Sequence, residues 1–120
     1  MIPTEIAAAA TDLASSGWVR VGTIADLPEL EGRRTTIEGR KVAVFRLLDG
    51  FAAIDAECPH RQGPLQDGIV AGGCVTCPLH DRRIDLHTGE VLGHAGESVA
   101  VHEVHVDGED LWVRLSVAAG

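Results

Sequence analysis

The sequence predicts a small all-β domain, an antiparallel barrel or sandwich entered through a short N-terminal helix. Its 120 residues fit one ordinary domain, with enough chain to bury a core without disulfide staples. The apolar and alternating runs are short, turn dipeptides separate them at close intervals, and past residue 15 no stretch carries a helical period.

Residues 5 to 15, from Glu5 through the alanine run to Ser15, are on balance good helix formers, and Ser16-Gly17 stops them. Residues 1–17 therefore form a helical extension and 18–120 the domain proper. Strand-like runs follow at Trp18 to Gly22, Lys41 to Leu47 and Phe51 to Asp55. Later ones are Cys74 to Thr76, Arg83 to Leu86, Ser98 to Val106 and Glu109 to Ser116. Glu38-Gly39, Asp49-Gly50, Thr88-Gly89 and Asp107-Gly108 are turns. Asp49-Gly50 and Asp107-Gly108, each between two strand-like runs, are the clearest hairpin signals. Residues 56 to 73 are rich in Gly and Pro and refuse a strand reading; so long a loop in a compact domain is usually functional.

Composition excludes several functions. A net charge of −8 argues against a nucleic-acid partner, whose phosphates call for a basic stripe. No apolar run approaches the roughly 20 residues that span a bilayer, so no membrane anchor is expected. The acidic start with Glu5 and Asp12 lacks the basic residues of a secretory signal, which makes a cytoplasmic protein the expectation. Aromatics are scarce, with two Trp, two Phe and no Tyr, while 14 Gly, 6 His and 3 Cys are present. Neither G-x-G-x-x-G nor a P-loop occurs, so no independent active site is expected.

The chemistry gathers in two short segments. Cys58-Pro59-His60 lies in the long loop, and Cys77-Pro78-Leu79-His80 follows after sixteen intervening residues. Each offers one thiolate and one imidazole, together an N2S2 donor set. Zinc would take all four at one tetrahedral ion; a two-iron cluster would take both Cys at one iron and both His at the other. Zinc knuckles commonly pair Cys with Cys and His with His, whereas here each loop mixes the two types. Side chains of unequal reach, two residues apart, suit two metal centres better than one. A zinc-bound or cluster-free structural subunit is the alternative.

The paired motif, C-P-H-R-Q-G-P-L at 58–65 and C-P-L-H at 77–80, resembles the signature of Rieske [2Fe–2S] proteins. The resemblance runs from about residue 18 to 117 in strand order and turn placement. It implies that Cys58 and Cys77 hold one iron of a single cluster, His60 and His80 the other, and that a small cluster-binding sheet is inserted in a larger antiparallel barrel. Replacing two thiolates by neutral imidazoles removes negative charge, which makes an electron easier to add. The function implied is electron transfer.

Residues flanking the ligands have physical roles under this reading. Pro59 and Pro78 stiffen the loops, Gly63 with Gly68, Gly72 and Gly73 permits close wrapping, and Leu65 and Leu79 supply an apolar cover. Arg61 and Arg82 would form a docking patch beside the cluster. Cys74 reads as a small buried hydrophobe. Respiratory-complex members carry an extra cysteine in each ligand loop; the corresponding positions here are Gly63 and Leu79, so that disulfide is absent and the resemblance is to the soluble ferredoxin-type branch. His102 and His105, three apart, face opposite ways on a strand and cannot chelate one ion. His87 reads as solvated at a turn, and His94 lies where the family often has a proline-containing third loop.

Within the family, G-I-V-A-G-G at 68–73 and R-I-D-L-H-T-G-E at 83–90 are similar to the small subunit of assimilatory NAD(P)H nitrite reductases. That resemblance implies a large partner subunit bearing flavin and sirohaem, and a place in nitrate assimilation as nitrite is reduced to ammonium. Where such subunits often read C-P-L-H-N-W, this chain has Asp81 and Arg82. The alternative is a free Rieske ferredoxin feeding a ring-hydroxylating dioxygenase or related oxygenase together with its reductase.

Overall fold

Valines and alanines alternate through the middle of the chain without a polar partner face, the pattern of strands covered on both sides. In the computed structural model, which describes residues 17–57, 64–78, 82–94 and 96–116, those strands are the wall shared by two cores. The expected N-terminal helix at 5–15 lies outside the described residues.

Among the described residues, nine strands form two antiparallel sheets. Six of them, β1 (Trp18–Thr23), β2 (Gly32–Ile37), β3 (Arg40–Leu47), β4 (Gly50–Asp55), β8 (Val101–Asp107) and β9 (Asp110–Arg114), are ordered β1-β9-β8-β4-β3-β2. This sheet curls into a nearly closed barrel with β1 and β2 at its edges. The remaining three, β5 (Ile69–Ala71), β6 (Cys74–Thr76) and β7 (Arg83–Asp85), form the small sheet inserted between β4 and β8.

Strand alternation separates the two cores. Val42 and Val44 of β3 and Ala53 of β4 point into the barrel with Ile37, Leu27, Leu111 and Val113. The intervening Ala43, Phe45 and Leu47, with Ala52 and Ile54, face outward and pack on Val70, Val75 and Ile84 of the small sheet. Both Asp-Gly turns close hairpins as expected, Leu47 pairing with Gly50 and Asp107 with Asp110.

Two strands depart from the sequence reading. β2, Gly-Arg-Arg-Thr-Thr-Ile, is an edge strand with Arg33, Arg34 and Thr36 exposed, and its polar composition hides the period. β5 lies inside the stretch expected to be irregular, as does a 3-10 turn at Leu65–Asp67. Only Val70 of β5 is buried, and Ile69 is 74% exposed, so no apolar run marks it. β5 and β6 are joined through Gly72 and Gly73, both at positive φ (61° and 77°), the geometry of a two-residue type I′ hairpin.

Candidate metal centre

The first ligand segment leaves β4 of the barrel and returns toward β5, the second connects β6 to β7, and hydrogen bonds close each at its base. At the first, Glu57 and Pro64 form an antiparallel bridge, and the Leu65 amide donates to the Ala56 carbonyl at 2.8 Å. The loop between them holds Cys58, Pro59, His60, Arg61 and Gly63, all outside the described residues. At the second, the Cys77 amide donates to the Arg82 carbonyl at 2.8 Å, enclosing a turn whose Leu79, His80 and Asp81 are likewise outside the described residues.

The two bases are packed together. Ala56, Leu65 and Cys77 share one core with Val75, Ile84, Leu86 and Val91. Gly68 shows how tightly the first segment returns over β6, because a Cβ there would lie 2.3 Å from the Thr76 carbonyl oxygen and 2.7 Å from Val75 Cγ2. Close approach, not a positive φ, is what requires glycine at this position, where φ is −78°.

Of the four expected ligands, Cys77 is described. It is 2% exposed and its thiol is free, capable of facing a metal from an apolar, water-poor wall. Leu65 is fully buried in the same core as Cys77, while Pro78 is exposed. Cys74 is buried and pairs with Ala71 next to the glycine hairpin, three residues and about 10 Å of strand from Cys77. It belongs to the opposite end of the small sheet, in agreement with a packing role. A buried soft donor on a pinched loop fits an iron–sulfur cluster as well as zinc; the mixed Cys and His composition of each segment favours the cluster. Among the described residues, no three His, Cys, Asp or Glu side chains converge on a metal position.

The expectation for Arg82 changes. Its guanidinium is not displayed as part of a docking patch but donates to both carboxylate oxygens of Glu97, Nε to Oε1 at 3.1 Å and Nη2 to Oε2 at 3.4 Å. Arg83 remains exposed. His87 and His94 are exposed, and His105 packs against Trp18 with ring centroids 5.7 Å apart.

A polar network at the foot of the first loop was not legible in the sequence. His102, 3% exposed, bridges Asp55 and Ser116. The Ser116 amide donates to Nδ1 at 3.0 Å, which leaves the ring proton on Nε2 to be donated to Asp55 Oδ1 at 2.9 Å. Arg40 joins by donating to the same Asp55 oxygen at 3.0 Å and to the Ser116 carbonyl at 3.3 Å. Asp55 ends β4 three residues before Cys58, so the network fixes the strand from which the first segment departs. Its signal would have been the cross-strand register that sets Ala53 opposite His102.

The R-I-D-L-H-T-G-E stretch builds a turn. Asp85 Oδ1 accepts from the amides of His87 (2.7 Å) and Thr88 (3.1 Å), and Thr88 Oγ1 accepts from the Glu90 amide. Gly89, at φ +79°, lies where a Cβ would be 2.2 Å from the Val99 carbonyl oxygen. These residues therefore have a structural purpose whatever the partner.

Comparison with known proteins follows the same lines. The family model for the Rieske-like [2Fe–2S] domain matches residues 17–114. The ferredoxin component of the naphthalene 1,2-dioxygenase system of Pseudomonas aeruginosa is 27% identical over 100 residues, covering 82% of this chain and 96% of its own. The ferredoxin of carbazole 1,9a-dioxygenase from Nocardioides aromaticivorans IC177 superposes with a TM-score of 0.77 at 29% identity, over 82% of this chain and 98% of that one. A candidate NADH-dependent nitrite reductase small subunit from Mycobacterium tuberculosis superposes with a TM-score of 0.76 at 26% identity, over 85% and 96%. No helix among the described residues is long and apolar enough to cross a membrane.

Proposed function

This chain belongs to the Rieske-like [2Fe–2S] domain family and is an electron-transfer domain carrying one such cluster; from that premise we propose that Cys58 and Cys77 bind one iron and His60 and His80 the other. The observation that carries the assignment is Cys77 itself, a free, buried thiol at the mouth of a hydrogen-bonded turn. When bound, the cluster supplies reversible one-electron chemistry.

The chain's own residues prepare the place for it. Leu65, Val75, Ile84 and Val91 exclude water from the Cys77 side. The Ala56–Leu65 and Cys77–Arg82 backbone bonds each close one ligand segment at its base, and the shared core of Ala56, Leu65 and Cys77 packs the two bases together. Glu57, beside Cys58, is paired with Lys41 at 3.5 Å, which offsets one carboxylate that would oppose an added electron.

We further propose that the partner is the large flavin and sirohaem subunit of an NAD(P)H-dependent nitrite reductase in the cytoplasm, with this chain as its Rieske subunit in nitrate assimilation. The likeness to the mycobacterial small subunit over 85% of this chain and 96% of that one supports this. A second reading, a free ferredoxin serving an oxygenase and its reductase, is favoured by the relation to the naphthalene dioxygenase component. Capture by the tagged chain under anaerobic conditions separates them. Co-purification of a sirohaem-bearing subunit whose NAD(P)H-driven nitrite reduction requires this chain is the expected result. Recovery of an oxygenase that the reduced chain re-reduces would replace the first reading by the second.

A further inference from the structure

The segment that follows β7 doubles back toward the second ligand turn. Its amide at Leu92 donates to the Arg83 carbonyl at 2.8 Å, and its ends are joined by the Val91 amide donating to the Glu97 carbonyl at 3.0 Å. The interior of the turn is held by His94 donating to Val91 and Glu97 to His94. Leu92, Gly93, His94 and Gly96 are all exposed, so burial does little to keep the tip in place. Gly93 and Gly96 both occupy positive φ, at 79° and 88°.

Among the described residues, the Arg82–Glu97 pair joins this turn to the ligand segment through side chains. It is bidentate and partly withdrawn from water, with 19% of the Arg82 side chain and 34% of the Glu97 side chain exposed. Such a fork fixes orientation as well as distance, unlike the single-point contacts of the outer surface. Arg82 also carries the carbonyl that accepts the Cys77 amide. One residue thus closes the ligand turn with its backbone and grips the neighbouring turn with its side chain.

We propose that Arg82 and Glu97 are positioning residues forming a clasp, which holds the 91–97 turn against the 77–82 ligand turn and thereby governs how readily water and chelators reach the metal centre. The inference rests on the ligand assignment above. Its two members come from segments 15 residues apart whose neighbours already meet through the Ile84–Val91 bridge and the Leu92–Arg83 backbone bond, so the clasp adds a side-chain tie to a backbone one. Opening the clasp would free the tip of the turn while leaving the barrel core, which contains neither residue, unaffected.

The test is the first-order loss of the cluster's visible absorbance from the full-length holoprotein in the presence of a ferrous chelator. Arg82→Gln and Glu97→Gln should each hasten loss, on the order of fivefold, with the tryptophan-detected unfolding midpoint of the cluster-free chain unchanged. The charge-exchanged double variant, Arg82→Glu with Glu97→Arg, should recover most of the wild-type lifetime. Single variants that lose the cluster at the wild-type rate would overturn the clasp, as would an exchanged pair no slower than the singles. A fall in the unfolding midpoint that accounts for the faster loss would also overturn it. If wild-type protein takes up no cluster on reconstitution, there is no absorbance at time zero, and the ligand assignment fails instead.

Discussion

The barrel and the small sheet are built from the same strand chemistry but stand on different supports. Barrel strands run from five to eight residues, pair along most of their length and enclose an apolar interior of Val42, Val44, Ala53, Leu111 and Val113. Each strand of the small sheet has three residues, and its buried side chains rest on the outer face of β3 and β4. A three-residue strand buries one or two side chains, too few to stand alone. The small sheet therefore borrows its core from the barrel, and its loops are free to serve a metal. Both tryptophans, Trp18 and Trp112, are in barrel strands, so their emission reports on one region while cluster absorbance reports on the other.

The largest effect that would sharpen this contrast is expected from Cys77→Ala. Iron bound per chain should fall from two to nearly none, while tryptophan emission stays that of the folded cluster-free protein. Loss of the barrel signal as well would show that the regions are not separable. Phe45→Ala strikes the shared wall, because the ring is fully buried between β3 and the small sheet. A loss of about 3–5 kcal/mol is expected in denaturant unfolding, with both signals affected together.

Gly68→Ala should act on the small sheet first. Its new methyl would meet the Thr76 carbonyl and Val75, and overpacking of this kind costs about 2–3 kcal/mol. Faster cluster loss with a lesser change in barrel unfolding is the expected outcome, measured on the same samples. His102→Leu should be milder, about 1–2 kcal/mol, by leaving the Ser116 amide and part of the Asp55 carboxylate without their partner. Because Asp55 precedes the first ligand loop, cluster occupancy should drop modestly too; an unchanged midpoint in calorimetry would remove the network from the account.

The same contrast explains what could be read from the sequence. β3 and β4 were legible because burial on both faces makes them continuous apolar runs, and the Asp-Gly turns fixed their hairpins. β2 was not, since an edge strand may carry Arg33 and Arg34 without cost and shows no period. β5 was hidden for a different reason: with Val70 its one buried residue, only the pairing with β6 defines it. At the metal centre, donor type and spacing singled out Cys77 and separated it from Cys74. Spacing could not reveal that Arg82 would turn to Glu97, or that His102 would meet Asp55, because both depend on contacts between distant segments.

The central claim is that one cluster is held by two thiolates and two imidazoles from these paired loops. Pulsed EPR of the anaerobically purified, dithionite-reduced chain tests it most directly, accompanied by iron and sulfide analysis. The account predicts two irons and two sulfides per chain, a rhombic signal with mean g below that of all-thiolate clusters, and hyperfine coupling from two nitrogens that is lost in His60→Ala and His80→Ala. A colourless protein with one zinc per chain, or a reduced cluster without nitrogen coupling, would contradict it.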